Sequence, residues 1–201
     1  MARHETSEKI LTAADALLAE VGYDGASVGR VAERAGVNKA LVFYHFESKS
    51  KLVEAVLARY YEAHQNALRQ AYDTKGDARL RIHSVVDAYF KFMSEHRTYP
   101  RLVLGLIAAS DEARAMVQDN LLSLFRWTTE MLADITPTGG PLDARQFYST
   151  FSGMVTGYFT YAPVIADAWG DDPLAPESLR ARLEHVHWMV DAVLDRLEAE
   201  R

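Results

Sequence analysis

Between residues 27 and 46 the chain spells two short helices separated by a turn too brief to hold any other element. Ser27 precedes Val28, Val31 and Ala32, and Asn38 precedes Val42 and Phe46; each apolar set recurs at the three- and four-residue spacing of one helix face. Serine and asparagine accept hydrogen bonds from the open amides of a first helical turn, so both read as N-caps. Ala35-Gly36-Val37 lies between them, and glycine allows the left-handed backbone that ends one helix and redirects the chain. Residues 6–21 add a longer helix with Ile10, Ala13, Ala14, Leu17, Leu18 and Val21 on one side, and Gly22 is expected to be its left-handed cap. Ile10, Ala14 and Leu17 with the short helices' apolar residues can close a small core. This is a helix-turn-helix arrangement, in which the second short helix fits the major groove of duplex DNA.

The rest of the chain continues in helices, and strand signals are scarce. Ser48 caps a fourth helix over 49–72, with Leu52, Val53, Val56, Leu57 and Tyr60 on one side. Further helices are expected near 77–96, 98–108, 111–134, 143–167 and 176–199. The breaks are Pro100 near one start, Asp111, the Thr136–Pro141 loop and Gly170-Asp171-Asp172-Pro173. The fold class is therefore all-α, with about nine helices.

Composition narrows the function. There is no cysteine, which removes disulfides, thiolate metal sites and cysteine nucleophiles. The net charge is −6, yet residues 1–51 carry seven basic and seven acidic side chains, so the acidic excess lies beyond them. Phosphate attraction in the N-terminal part must come from a local grouping. Met1 to Glu5 do not open a signal peptide, and a cytoplasmic location is expected. Residues 146–166 hold no charge, a length that could span a bilayer, but Ser149, Thr150, Ser152, Thr156 and Thr160 favour a buried helix of a water-soluble domain.

No phosphate-cradling glycine loop, dinucleotide fingerprint or Ser-His-Asp order is found, so an enzyme is not expected. His185 and His187 are two residues apart and point to different sides of one helix, while His83 with Asp87 is only a two-ligand pair. Neither a metal nor an organic cofactor is expected.

Gly22-Tyr23, Ser27-Val28, Val31-Ala32-Glu33-Arg34-Ala35-Gly36-Val37 and Phe43-Tyr44-His45-Phe46-Glu47-Ser48-Lys49 with Leu52 together resemble the tetracycline-repressor (TetR) family of transcriptional regulators. The likeness is close over residues 6–53; beyond them it rests on length, helical content and the pattern of breaks. It implies an N-terminal three-helix helix-turn-helix DNA-binding domain over residues 1–48. It also implies a C-terminal helical domain for ligand binding and dimerisation over 49–201. The expected partners are a palindromic operator in double-stranded DNA, a small-molecule effector and a second copy of the chain, with no membrane.

The resemblance combined with chemistry assigns roles. Ser27 offers a hydroxyl or helix-terminal amides to a phosphate, and Arg30 reaches the same backbone. Asn38 and Lys39 open the recognition helix, and Lys39 has a guanine edge or a phosphate within reach. Leu41, if exposed, touches a thymine methyl; even so, it reads equally as core. Tyr44 and His45 resemble backbone and base-edge contacts, Lys49 holds a phosphate, and Arg3 enters the minor groove on a flexible arm. Two departures separate the chain from the family it resembles: Ala40-Leu41 stands where a small residue and threonine are common, and Phe43 stands where tyrosine is frequent.

In the C-terminal part Gly153 and Gly157, with Ser149 and Thr160 near the same side, allow close helix approach. Leu179, Leu183, Val186, Val190, Val193 and Leu197 form a seam on the last helix. The resemblance implies that these two helices pair with their copies in a dimer. Tyr61, His64, Tyr89, Phe92, Met93, His96, Trp127, Met131, Phe151, Met154, Tyr158 and Trp188 are candidates to line a pocket for an apolar or aromatic effector. Such residues also serve as plain core. The reading is thus a ligand-responsive repressor that effector binding releases from its operator. The alternative is a helical small-molecule carrier or interaction protein without specific DNA binding.

Overall fold

The structure, a computed structural model, describes residues 2–200; Met1 and Arg201, the outer limits of the two assigned domains, lie outside the described residues. Among those residues there are nine helices and no strand: α1 (Ala2–Gly25), α2 (Val28–Ala35), α3 (Lys39–Phe46), α4 (Lys49–Tyr72), α5 (Ala78–Glu95), α6 (Tyr99–Ala109), α7 (Asp111–Leu132), α8 (Ala144–Trp169) and α9 (Pro176–Ala199). The all-α reading holds, and most helix ends fall within a few residues of expectation. α1 is the exception. It starts earlier, so Arg3 is helical rather than part of a loose arm. Gly22 is a kink, not a left-handed cap: its φ of 69° and ψ of −175° lie in a region essentially open to glycine alone, and the helix resumes to Gly25.

The chain divides into two compact units, Met1–Glu62 with Arg101–Leu121, and Ala63–Pro100 with Leu122–Arg201. In the first, α1 packs on α2 and α2 on α3. Ile10, Leu17, Val31, Val42, Leu52 and Leu57 are all almost fully buried. A buried Leu or Ile side chain contributes roughly 1.5–3 kcal/mol, which is what holds helices too short to persist alone. Arg34 grips Glu20 with two parallel hydrogen bonds of 2.7 Å. Both side chains are exposed, so the fork sets the register of α1 and α2 more than it stabilises them.

In the second unit α5 packs on α8 and α9, and α8 on α9. Ile82, Phe90, Phe151, Val155, Phe159 and Leu194 fill its interior. Arg79 ties α5 to α9 through Asp191, Asp195 and Glu198 at 2.7, 2.6 and 3.2 Å. The seam expected on α9 needs correction. Val186, Val190 and Leu197 are 0, 0 and 6 % exposed, so they close their own subunit and have no surface left for a partner. A 4-3 apolar spacing records that a face is covered, not by which chain. Leu179, Leu183 and Val193 are half-buried.

The uncharged stretch lies in α8. Ser149 and Thr160 turn their hydroxyls back onto the carbonyls of Arg145 and Thr156, each at 2.8 Å. No helix among the described residues is long and apolar enough to cross a membrane.

Gly36 joins α2 to α3 at φ 67°, ψ 32°, with open space where a Cβ would stand. A side chain there meets backbone strain rather than a clash. Gly36→Ala is expected to cost about 1–2 kcal/mol in urea unfolding and Gly36→Asn distinctly less. Unchanged stability in Gly36→Ala would contradict this account of the turn.

Candidate nucleic-acid interface and ligand cavity

The helix-turn-helix is set by its caps. Ser27 accepts from the Arg30 amide at 3.3 Å, Asn38 Oδ1 from the Leu41 amide at 2.7 Å, and Ser48 from the Lys51 amide at 3.1 Å. Only Val42 of α3 is buried. Lys39, Ala40, Phe43 and Tyr44 face out, Phe43 being 41 % and Tyr44 62 % exposed, while Leu41, His45 and Phe46 are half-buried. Leu41 is therefore neither full core nor fully free.

All eight residues assigned to DNA lie in the first unit. Ser27, Arg30, Asn38, Lys39 and Tyr44 are exposed, and Lys49 is half-buried. Arg30 is partly engaged, because its Nη1 donates to the Gly25 carbonyl at 2.7 Å. Three cations lie over rings: Lys39 over Phe43 at 5.7 Å, Arg3 over Tyr44 at 5.2 Å, and Lys49 over Tyr23 at 4.1 Å. Each such contact holds a long side chain against an aromatic surface while leaving its charge available. The Tyr23 platform was missed in the sequence, where Tyr23 reads only as a residue after Gly22.

The second unit encloses a cavity of about 70 Å³. Of the twelve candidates, His64, Tyr89, Met131 and Phe151 line it. The others do not. Tyr61 is buried in the first unit. Phe92 is buried with its ring stacked on His64 and His96 at 4.6 and 4.2 Å, and Met93 is buried beside it in sequence. Trp127 lies edge-on to Tyr72, Met154 offers its carbonyl to Arg182, and the Tyr158 hydroxyl donates to the Pro173 carbonyl. Trp188 is 64 % exposed and stands outside this wall. The wall includes Tyr148 and Ser152, which flank Phe151 within one turn of α8. Extending the Phe151 face by a turn would have found Tyr148; Ser152 carries no apolar signal.

The cavity wall is electrically neutral. Burial, with a smaller contribution from His96, pushes the His64 imidazole down to about 3. Burial pushes the Tyr148 phenol up to about 12 and raises that of Tyr89. Tyr89 shares hydrogen bonds with Thr156 at 2.6 Å and Ser152 at 3.3 Å. The site thus presents hydroxyls and an uncharged ring within an apolar shell.

Two further groupings bear on function. His83 and His187 face each other across α5 and α9, Nδ1 to Nδ1 at 2.6 Å, with Asp191 on one Nε2 at 2.9 Å and Asp87 on the other at 2.7 Å. The His83 bond holds the Asp191 carboxyl below its ordinary range. Among the described residues no group of three or more His, Asp or Glu side chains, this one included, is placed to hold a metal ion. On the outside of α8 and α9, Tyr161, Val164, Trp169 and Trp188 are 61, 77, 52 and 64 % exposed.

Residues 10–56 match the family model described as bacterial regulatory proteins, tetR family. The HTH-type transcriptional activator FasR of Mycolicibacterium smegmatis is 36 % identical over 101 residues, which is 50 % of this chain and 46 % of FasR. The fatty acid degradation regulator FadR from Bacillus halodurans superposes with a TM-score of 0.75 at 20 % identity, covering 92 % of this chain and 94 % of the other. The transcriptional regulator FadR from Bacillus subtilis, in complex with stearoyl-CoA, gives 0.70 at 17 % identity, covering 94 and 96 %.

The depressed imidazole of His64 has a measurable consequence. An unfolded histidine takes up its proton near the ordinary value of 6.5, whereas the folded one resists until about 3. The unfolded state therefore gains protons first, and stability falls as pH drops below 6.5 and levels off below 3. His64→Phe removes this penalty: the stability difference between variant and parent is expected to shift by about 2 kcal/mol towards the variant from about pH 7 to about pH 5. A pH-independent difference in urea unfolding would contradict a neutral, buried His64.

Proposed function

We propose, starting from the tetR-family match over residues 10–56, that the chain is a TetR-family repressor that binds a palindromic operator as a homodimer and is released by an apolar effector. The observation that carries this reading is the outward face of α3, where Phe43 and Tyr44 stand exposed on a helix whose only buried side chain is Val42. A helix that merely completed a core would present its aromatic residues inward. Residues 1–48 are the reading head, and residues 49–201 bind effector and partner. A DNA target implies a cytoplasmic protein.

Ser27, Arg30, Asn38, Lys39, Leu41, Tyr44, His45 and Lys49 are the proposed DNA contacts. Tyr44 and Lys39 approach base edges; Ser27, Arg30 and Lys49 hold phosphates. The neutral first 51 residues make this a matter of local grouping, which the ring-supported cations supply.

The dimer is proposed on α8 and α9. Four large exposed apolar side chains on two neighbouring helices form the kind of surface that a lone soluble chain rarely leaves uncovered. Ser149, Gly153, Gly157 and Thr160 let the helices approach, Leu179, Leu183 and Val193 give their remaining surface, and Tyr161 and Trp188 supply anchors. Two heads on a two-fold axis then select two half-sites, and the pairing raises affinity through effective concentration.

The effector is proposed to enter the cavity of the second unit. A cavity of about 70 Å³ is smaller than those of roughly 150 Å³ that accept benzene, so binding must open it. An effector that favours the opened form draws the protein away from its operator-competent form; a coupling of about 1–3 kcal/mol gives roughly 5–150-fold release. α4 is one continuous helix across the boundary between the units, which gives that coupling a covalent route.

The test of function is to recover bound sites from genomic DNA with the purified chain, then to transcribe from a promoter carrying such a site with and without the protein. Paired inverted half-sites and reduced transcription are expected; no enrichment of any sequence would favour the carrier reading. Tyr44→Ala should weaken binding to the recovered site by about tenfold, whereas Lys49→Ala should weaken binding to all sequences and lower the salt slope by about 1. Parent-like binding by both variants would show that the DNA face is misassigned. Tyr161→Glu combined with Trp188→Glu should convert the dimer to monomers in sedimentation; a persistent dimer would move the interface elsewhere.

A further inference from the structure

The major-groove edge of each base pair carries donors and acceptors, and thymine alone adds a methyl group. Side chains that read the polar pattern in two-point fashion are Arg or Lys for guanine, Asn or Gln for adenine, and Asp or Glu for cytosine. The exposed row of α3 is Lys39, Ala40, Phe43 and Tyr44. It contains no Arg, Asn, Gln, Asp or Glu. Asn38, just before the helix, has Oδ1 committed to the Leu41 amide at 2.7 Å. With that oxygen turned onto its own helix end, the carboxamide is not set for the donor-and-acceptor pair that adenine takes. Lys39 is held over the Phe43 ring at 5.7 Å, and Arg3 stacks on Tyr44 at 5.2 Å. Next to these, Ala40 and Phe43 offer apolar surface to the outside with no hydrogen-bonding function, and half-buried Leu41 extends it.

We propose that α3 reads its operator chiefly through thymine methyl groups, which pack against Ala40 and Phe43 in each half-site. The inference rests on the DNA-binding reading above and names the sequence class that the reading head selects. Polar contacts from Lys39 and Tyr44 orient the helix. Discrimination at the central positions comes from apolar contact, because the C5 methyl is the one apolar feature a base edge presents to Ala40 and Phe43. Half-sites should therefore be rich in A·T pairs with thymine at fixed positions. Loss of any one of those methyls should weaken binding, although no hydrogen bond is lost.

The test changes the DNA and leaves the protein intact. Sites recovered with the full chain are resynthesised with deoxyuridine replacing thymine one position at a time, and affinity is measured at fixed salt. One or two positions per half-site are expected to lose about fourfold per methyl, the equivalent of one buried carbon group, while deoxyuridine elsewhere has no effect. In Phe43→Ala the loss at one of these positions should vanish, which assigns the methyl to that ring. If specific sites are recovered and deoxyuridine is tolerated at every position, the methyl reading is overturned while DNA binding stands. If no sequence is enriched at all, both readings fall together. A half-site whose affinity tracks guanine positions alone would likewise overturn the proposal and return discrimination to Lys39.

Discussion

α3 has eight residues, far fewer than the roughly 12–15 that an isolated helix needs in water, and it buries a single side chain, Val42. Its ends must therefore fix it. Gly36 supplies the left-handed link from α2, Asn38 satisfies the first turn, and the Glu47 amide closes the last turn on the Phe43 carbonyl at 2.8 Å. Because backbone geometry, the Val42 anchor and half-buried Leu41, His45 and Phe46 hold the helix, its outer row of Lys39, Ala40, Phe43 and Tyr44 is free of structural duty. That freedom is what lets Phe43 and Tyr44 face outward, and every functional statement about the first unit depends on it.

The second unit works by the opposite logic. Its helices are long, and α5, α8 and α9 bury wide apolar faces against one another. Within them a small cavity stays lined by groups without charge. A charged ligand group placed there would lose its hydration and find no counter-charge on the wall, so the chemistry of the cavity selects against ions. On the same helices the outward aromatic residues are left over after the core is complete. One element thus serves two surfaces: α8 carries Phe151 towards the cavity and Tyr161 towards solvent.

The sequence revealed most of the helical frame because its signals are local. Ser27, Asn38 and Ser48 cap where their spacing predicts, since a short oxygen side chain before an apolar period has few other uses. Gly22 shows the limit: a glycine announces unusual backbone, but whether it caps or kinks depends on whether the residues after it resume the helix. The α9 seam shows a second limit, for Val186 and Val190 repeat in the pattern of an interface and are consumed inside the subunit. The cavity was legible only in part. Aromatic identity drew attention to Trp188 and Tyr158, whereas the wall is built largely from aliphatic residues such as Val85, Leu124 and Leu132, which nothing in a sequence distinguishes from other core.

The central claim is that the outer face of α3 lies against base edges in two symmetric half-sites. A photo-crosslinking amino acid placed at exposed Ala40 in the otherwise intact chain, irradiated on a recovered operator, tests this most directly. The account predicts crosslinks to bases at two positions related by the operator's dyad, and none when the operator is replaced by unrelated duplex at the same salt. Crosslinks to the protein itself, or to DNA without dyad symmetry, would contradict it.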